Sequence, residues 1–200
     1  MMTEILIATF NENKRREIKA LFTGYRKIKI MMLNDLKIHP PMIVEDGKTF
    51  RQNAVKKAVI MSRFFDGFVV ADDSGLEVAV LNGKPGIRSA RFARVNATDT
   101  ENNAKLLNLL ENVPIEKRTA RFVCHIAFAK NGKLLDSFEG QISGKILFEG
   151  RGGNGFGYDP LFVPDRHEKT LAEMSPGYKN RISHRAGALK EFKKVSHKYF

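Results

Sequence analysis

The sequence has little that would cross-link the chain or anchor it in a membrane. Its 200 residues include a single cysteine, Cys124, which excludes an internal disulfide. No apolar run approaches the roughly 20 residues that span a bilayer. The N-terminal segment carries an acid where a secretory signal has basic residues. We therefore expect a cytoplasmic protein with no membrane partner.

Repeats, low-complexity tracts and linkers are also absent, so we predict one domain over residues 1–200. Lysine and arginine number 34 against 22 acids, which gives a net charge of +12. Such an excess suggests an anionic partner, although a charged surface can equally serve solubility. The basic residues are spread along the chain rather than gathered in an arm. We therefore expect no stable nucleic-acid complex.

The order of apolar segments predicts a mixed α/β fold. "EILIAT", "KIKIMML" and "FVVAD" have the composition of strands, and amphipathic helices separate them. "RFVCHIAFAK" and "KLLDSFEGQISGKIL" flank Asn131-Gly132, which is a strong hairpin signal. One further helix is predicted over "RISHRAGALKEFKKV". Strands that alternate with helices, followed by a hairpin, favour a mixed central sheet with flanking helices.

Two adjacent acids, Asp72 and Asp73, follow the run "FVVA" and are predicted to end its strand. Burying either carboxylate is costly unless a cation or strong donors meet it. Neighbouring strand residues point to opposite faces, so we expect only one of the two in a given cleft. Mg²⁺ beside a phosphate suits such a carboxylate. The alternative is an ordinary turn made by the acids with Ser74 and Gly75.

The stretch "ATFNENK" predicts a strand, a polar turn and the start of a helix. Free backbone N–H groups and the positive end of the helix dipole can bind phosphate there. Thr9 and Asn11 would add side-chain donors, and Lys14 would add a positive charge. The alternative is simple capping of the helix by Asn11 or Asn13.

Two later stretches suggest recognition of a base. "GGNGFGYDP" places Phe156 and Tyr158 among glycines, where an aromatic face can stack on a base. The alternative is a hairpin loop whose aromatic rings cover the core. "KNRISHR" places Ser183, His184 and Arg185 at the start of a helix, where they could donate to a carbonyl edge. The alternative is a solvated helix face.

Taken together and in order, four stretches resemble one family. They are "TFNENK", "ADDSGLEVAVLNGKPGIRSARFA", "GFGYDPLF" and "ISHRAGAL". The chain resembles the inosine triphosphate pyrophosphatases of the Ham1 type over nearly its whole length. That resemblance implies an elongated α/β protein with two lobes around a substrate cleft, usually a homodimer. The segment "GIRSARFA" could lie near the dimer surface.

The resemblance also implies an activity. It implies Mg²⁺-dependent hydrolysis between the α- and β-phosphates of ITP, dITP and XTP, which yields a monophosphate and pyrophosphate. Such an enzyme clears deaminated purines from the nucleotide pool. Hypoxanthine and xanthine carry a 6-oxo group, and Arg185, which can only donate, would favour it over the 6-amino group of adenine.

Individual roles follow from the same resemblance. Asp73 would bind the metal and accept a proton from water, with support from Asp72, and Glu45 would be a second metal ligand. Lys57, or its neighbour Lys56, would reach the phosphates. The other implied substrate contacts are Thr9, Asn11, Lys14, Ser74, Phe156, Gly157, Tyr158, Asp159, Lys179, His184 and Arg185.

Two rival interpretations remain. A nucleotide pyrophosphatase of the Maf type would share the N-terminal turn, but "ISHRAGAL" argues against it. A basic nucleic-acid-binding protein would explain the charge but would leave the paired acids without a role. Steep salt dependence of polynucleotide binding, without triphosphate turnover, would identify the second rival.

Overall fold

The computed structural model describes residues 2–22, 27–36 and 40–199, and its centre is a six-stranded mixed sheet. The strands are β1 (Thr3–Ile7), β2 (Ile28–Met32), β3 (Phe68–Val78), β4 (Thr119–Lys130), β5 (Lys133–Ile146) and β6 (Phe162–Pro164), in the order β2-β1-β3-β4-β5-β6. β1 pairs in parallel with both β2 and β3, whereas β5 and β6 are antiparallel. The predicted mixed α/β class is confirmed.

Five α-helices lie in the described part of the chain. They are α1 (Glu12–Leu21), α2 (Phe50–Met61), α3 (Asp99–Leu109), α4 (Pro176–Ile182) and α5 (His184–Val195). Side chains cap the first three, because Asn11, Thr49 and Thr98 each accept a hydrogen bond from a backbone N–H of the first turn. None of the described helices is both long and apolar enough to cross a membrane.

Two predicted boundaries are wrong. β3 does not end at Asp72 and Asp73 but continues through them to Val78, because Leu76 and Val78 after the acids are again apolar and buried. The predicted last helix is two helices, because Ser183 has extended backbone angles between α4 and α5. The N–H of Ser183 still donates to the carbonyl of Lys179, which closes α4 before the chain turns.

The chain divides into two compact units. The first comprises Met1–Asp73, Cys124–Gly140 and Arg185–Phe200, and the second comprises Ser74–Val123 and Gln141–His184. β3, β4 and β5 each pass from one unit into the other. The prediction of a single domain stays a prediction.

Within the first unit, apolar side chains cover both faces of the strands. Ile5, Ile7 and Val70 pack with residues of α1 and α5. Leu6, Val69 and Ala71 pack with residues of α2. This alternation is the period-2 pattern of strands buried on both sides, and it fixes which face each following residue of β3 occupies.

The second unit has a core of its own. Leu76 and Val78 from β3 pack with α3 and with the segment that follows β5. That core includes Tyr158 and Leu161, so it extends directly under the glycine-rich loop.

Candidate active site

The paired acids of β3 lie on opposite faces of the strand, as the sequence predicted. Asp72 lies two residues after Val70, on the same face of the strand, and contacts α1 and α5. Its Oδ2 is 3.1 Å from Lys14 Nζ and 3.2 Å from Arg185 Nε. Asp73 lies two residues after Ala71, on the other face, and is directed at α2. There its Oδ2 accepts a hydrogen bond from the Asn53 amide at 2.9 Å. The cations that the acids require are therefore side chains of the same unit.

Asp72 is fully buried and ionised. Burial alone would raise the pKa of its carboxyl, but the charges of Lys14, Arg185 and Lys57 outweigh that effect and hold the pKa well below its usual range. Burial would lower the pKa of Arg185, but the charges of Asp72 and Glu17 outweigh that effect and raise the pKa above its already high value. Asp72 is thus a fixed negative charge that orients two cations.

Asp73 has a different environment, although it is the next residue. Burial raises the pKa of its carboxyl and the nearby Glu45 adds to this, whereas Lys57 and Lys14 act in the opposite direction. Lys57 Nζ lies 3.8 Å from Asp73 Oδ1 and 2.8 Å from Glu45 Oε1. Of the two acids, Asp73 is therefore the better proton acceptor.

The lysine that enters this cluster is Lys57 rather than Lys56. Lys57 is mostly buried, and its ammonium also donates to the backbone carbonyl of Asp72 at 2.6 Å. Burial would lower its pKa, but the surrounding carboxylates raise it. Lys56 instead forms an exposed ion pair with Asp46 at 2.6 Å.

Asn53 belongs to the cluster, and the sequence reasoning missed it. Its amide nitrogen donates to Asp73, and its amide oxygen accepts from the N–H of Gly47 at 2.8 Å. The signal was available, because Asn53 lies four residues before Lys57 and so shares its helix face. A fully buried amide on that face needs partners of this kind.

The turn before α1 has the capping structure that the sequence left as an alternative. Asn11 Oδ1 accepts the N–H of Lys14 at 3.0 Å, and Thr9 Oγ1 accepts the N–H of Asn11 at 3.2 Å. Capping and phosphate binding are compatible, because the cap fixes the start of α1 and leaves the ammonium of Lys14 beside it. Lys14 connects that turn to Asp72.

Arg185 is placed in the charged cluster of the first unit. Its Nη1 donates to Glu17 Oε2 at 2.7 Å and its Nε faces Asp72, so two of its three nitrogens are bonded to acids. Glu17, three residues after Lys14 on α1, was missed by the sequence reasoning. The base-reading role of Arg185 stays a prediction.

Acids and cations contact one another throughout the cluster. Among the described residues, its ion pairs join three cations (Lys14, Lys57 and Arg185) to four carboxylates (Glu17, Glu45, Asp72 and Asp73). A triphosphate would bring further negative charge close to these carboxylates, and a cation that entered with it would lower the repulsion.

Glu45 and Asp73 have the chemistry to hold such a cation as a metal ion. They direct two carboxylate oxygens at one cationic group, the ammonium of Lys57. Within the described ranges, no three His, Cys, Asp or Glu side chains form a metal cage. Mg²⁺ is commonly held by one or two carboxylates together with substrate phosphates and water. The two acids match that pattern.

The glycine-rich loop of the second unit is organised around Asp159. This buried carboxylate accepts the N–H of Phe156 at 2.8 Å and lies 2.5 Å from the ammonium of Lys179. Lys179 also stands 4.7 Å from the centre of the Phe156 ring. A Cβ on Gly155, whose φ is +77°, would collide with the Asp159 carboxylate. Contacts thus join Phe156, Asp159 and Lys179, three residues to which the resemblance assigned substrate binding, and that role stays a prediction.

The other predicted residues of this unit have different neighbours. The hydroxyl of Tyr158 donates to the carbonyl of Ser89 at 2.9 Å, and its burial, with the charge of Asp99, raises its pKa. The His184 ring stacks on Phe122 with centroids 4.9 Å apart. Ser74 is a half-buried residue of β3 directly after the acids. Tyr158 therefore anchors the loop through its hydroxyl.

Known proteins match nearly the whole chain. The family model described as Ham1 family matches residues 5–195. A dITP/XTP pyrophosphatase of Thermoanaerobacter pseudethanolicus is 50% identical over 190 residues, 95% of this chain and 94% of the relative. A dITP/XTP pyrophosphatase of Geobacter sulfurreducens is 46% identical and covers 94% of each chain.

Solved structures agree. The Ham1 protein of Coxiella burnetii aligns with a TM-score of 0.87 and 40% identity over 98% of this chain and all of that one. The Ham1 protein of Staphylococcus aureus aligns with a TM-score of 0.86 and 38% identity over 99% of this chain and all of that one. The resemblance predicted from four stretches is confirmed, and the predicted enzyme class agrees with the relatives' names.

Proposed function

The chain belongs to the Ham1 family, and we propose that it is a nucleoside-triphosphate pyrophosphatase acting on dITP, XTP and ITP. Relatives that are 45–50% identical over nearly the whole chain carry the name dITP/XTP pyrophosphatase. The observation that carries the proposal is the meeting of Asp73, Glu45 and Lys57 on one face of β3. A buried acid and a half-buried acid around a lysine, next to a capped helix start, suit a metal-bound polyphosphate.

In this proposal the first unit binds the triphosphate. Lys14 and Lys57 neutralise phosphate oxygens, and the turn at Thr9 and Asn11 contributes donors at the positive end of α1. Phosphoryl transfer asks mainly for positioning and charge stabilisation, which fixed, buried cations supply without reorganisation. Asp72 takes part indirectly, because it orients Lys14 and Arg185.

Glu45 and Asp73 would hold Mg²⁺, which would acidify water and offset the charge of the phosphates. Asp73 is the proposed proton acceptor. Its Oδ2 is bonded to Asn53, and this fixes the direction of Oδ1. Water attacks a phosphorus of the α–β anhydride and gives up a proton, the P–O bond breaks, and a monophosphate and pyrophosphate leave. Hydrolysis needs no other reactant.

The second unit binds the base. Phe156 offers a ring face for stacking, and the ammonium of Lys179, which can only donate, favours a 6-oxo acceptor. The further proposed contacts of this unit are Ser74, Gly157, Tyr158, Asp159 and His184. Arg185, which belongs to the first unit, is also a proposed contact. A 6-amino group would place donor against donor, which costs on the order of a hundredfold in kcat/KM.

The test is the product formed from each nucleotide. Purified protein is incubated with ITP, dITP, XTP, GTP or ATP, with Mg²⁺ or with EDTA, and pyrophosphate and orthophosphate are separated by ³¹P NMR. We expect pyrophosphate from the first three substrates only, and only with the metal. Orthophosphate as the product would move the cleavage site, and turnover of ATP equal to that of ITP would refute base selection.

Two further features belong to the proposal. We propose a homodimer that acts in the cytoplasm on the free nucleotide pool. Sedimentation equilibrium at micromolar concentration tests the first feature, because a dimer has twice the mass of the 22.6 kDa chain. A single species at the chain mass would contradict it.

A further inference from the structure

The N-terminal half of α3 binds both backbone groups of Gly157. Asp99 Oδ2 accepts the N–H of Gly157 at 2.6 Å, and Asn103 Nδ2 donates to the Gly157 carbonyl at 3.0 Å. The two side chains are four residues apart, so they project from the same face of the helix. The two successive peptide groups that flank the Gly157 Cα are thus bound by one helix.

We infer that Asp99 and Asn103 are positioning residues for nucleobase selection, an inference that rests on the proposed function. Neither needs to touch the nucleotide. They act through Gly157, which lies between the stacking ring of Phe156 and the anchored ring of Tyr158.

Gly157 has no side chain with which to hold this part of the loop. Its φ is +62°, a conformation that favours glycine, and apart from its chain neighbours no atom lies within 4 Å of the place where a Cβ would stand. The residue itself therefore contributes no side-chain packing, and the preceding residues 151–155 are exposed. The two hydrogen bonds from α3 replace the packing that a larger residue would provide.

The same bonds define which groups are left to read a base. The N–H of Phe156 donates to Asp159 and the N–H of Gly157 donates to Asp99, so both backbone donors are already used within the protein. Base selection then depends on the Phe156 ring and on side-chain donors such as Lys179. A small displacement of Gly157 would move that ring directly.

Asp99→Ala and Asn103→Ala each remove one of the two bonds. Asn108→Ala is the matched control, because Asn108 is an exposed residue of the same helix. For each variant we measure kcat and KM for dITP and dATP, the inhibition constant of pyrophosphate, and the melting temperature. Pyrophosphate has no base, so it reports on the phosphate-binding residues alone.

We expect KM for dITP to rise about tenfold in each test variant, as the loss of one hydrogen bond implies. The preference for dITP over dATP should fall by a similar factor, while pyrophosphate inhibition and the control variant stay unchanged. Asp99→Asn should restore KM, because an amide oxygen can still accept the N–H of Gly157.

Three outcomes would overturn the inference. Unchanged KM and unchanged dITP preference in a folded Asn103→Ala or Asp99→Ala protein would show that the hydrogen bonds from α3 to Gly157 have no part in base selection. An equal loss of dITP turnover and pyrophosphate inhibition would show a general structural role. Failure of wild-type protein to release pyrophosphate from dITP would refute the proposed function as well, which separates the two failures.

Discussion

The two candidate binding regions are built on different physical principles. In the first unit, buried charges hold one another: Asp72 pairs with Lys14 and Arg185, and Lys57 with Glu45 and Asp73. In the second unit, one buried ion pair, Asp159 with Lys179, supports a loop whose other bonds run to backbone atoms. Ion pairs between side chains hold the first region in place, whereas hydrogen bonds that involve backbone groups hold most of the second.

This difference indicates what each region can tolerate. Removing one charge from a buried cluster leaves its partner desolvated and unpaired, so both stability and chemistry suffer. Removing one contact from a loop shifts an aromatic ring by a small distance and weakens selection without unfolding the unit. Substitutions in the two regions should therefore differ in how they divide between stability, turnover and selection.

Asp73→Asn should reduce turnover of dITP by roughly 10²- to 10⁴-fold, because the amide can neither accept the proton nor hold a metal equally well. The fold should survive, since an amide can still bond to Asn53. Pyrophosphate release and a melting curve are the measurements. Asp66→Asn, at an exposed acid before β3, is the control. Near-normal turnover in the Asp73 variant would remove this residue from the reaction.

Lys57→Ala should destabilise the protein by about 3 kcal/mol, because Glu45 and Asp73 lose their shared cation. Lys56→Ala should have little effect on stability, because its ion pair with Asp46 is exposed. Urea unfolding of the two neighbouring variants measures both values under the same conditions. Equal values would show that the charged cluster does not depend on Lys57.

Phe156→Ala should raise KM for dITP about tenfold, as loss of one stacking face implies, and leave pyrophosphate inhibition unchanged. Phe64→Ala, at an exposed phenylalanine after α2, serves as control. Steady-state kinetics with dITP and pyrophosphate are sufficient. A matching rise in the inhibition constant of pyrophosphate would mean that the two regions do not divide base and phosphate between them.

Asn11 gives the smallest effect and separates capping from binding. Asn11→Ala should lower the free energy of unfolding by about 1 kcal/mol through loss of the cap. Asn11→Asp retains a capping oxygen but adds negative charge where phosphate is proposed to bind, so stability should hold while KM rises. Unfolding curves measure the capping effect of each variant, and KM for dITP measures the effect on binding. An unchanged KM in both variants would leave Asn11 with the capping role alone.

Much of the fold could be predicted from local sequence signals. The parallel start, the Asn131-Gly132 hairpin and the Thr98 cap follow from periodicity and turn chemistry. The end of β3 could not be predicted in this way, because charged residues inside a strand look like its boundary unless their distant partners are known. The division of the last helix at Ser183 likewise has no strong local breaker.

The candidate site shows the same limit. Motif resemblance pointed to Asp73, Lys57 and Phe156, but it gave no partner for any of them. Asn53 and Glu17 shared helix faces with predicted residues and could have been found by spacing. Asp99 and Asn103 could not, because their partner is a backbone peptide more than 50 residues away in sequence.

The preference for dITP over dATP, measured as a ratio of kcat/KM in wild type, Asp73→Asn and Phe156→Ala, shows whether the two regions divide charge chemistry and base selection between them. If charge chemistry and base selection belong to separate regions, Asp73→Asn lowers both rates and keeps the ratio, whereas Phe156→Ala lowers the ratio. A ratio that falls in Asp73→Asn and is unchanged in Phe156→Ala would contradict this division of roles.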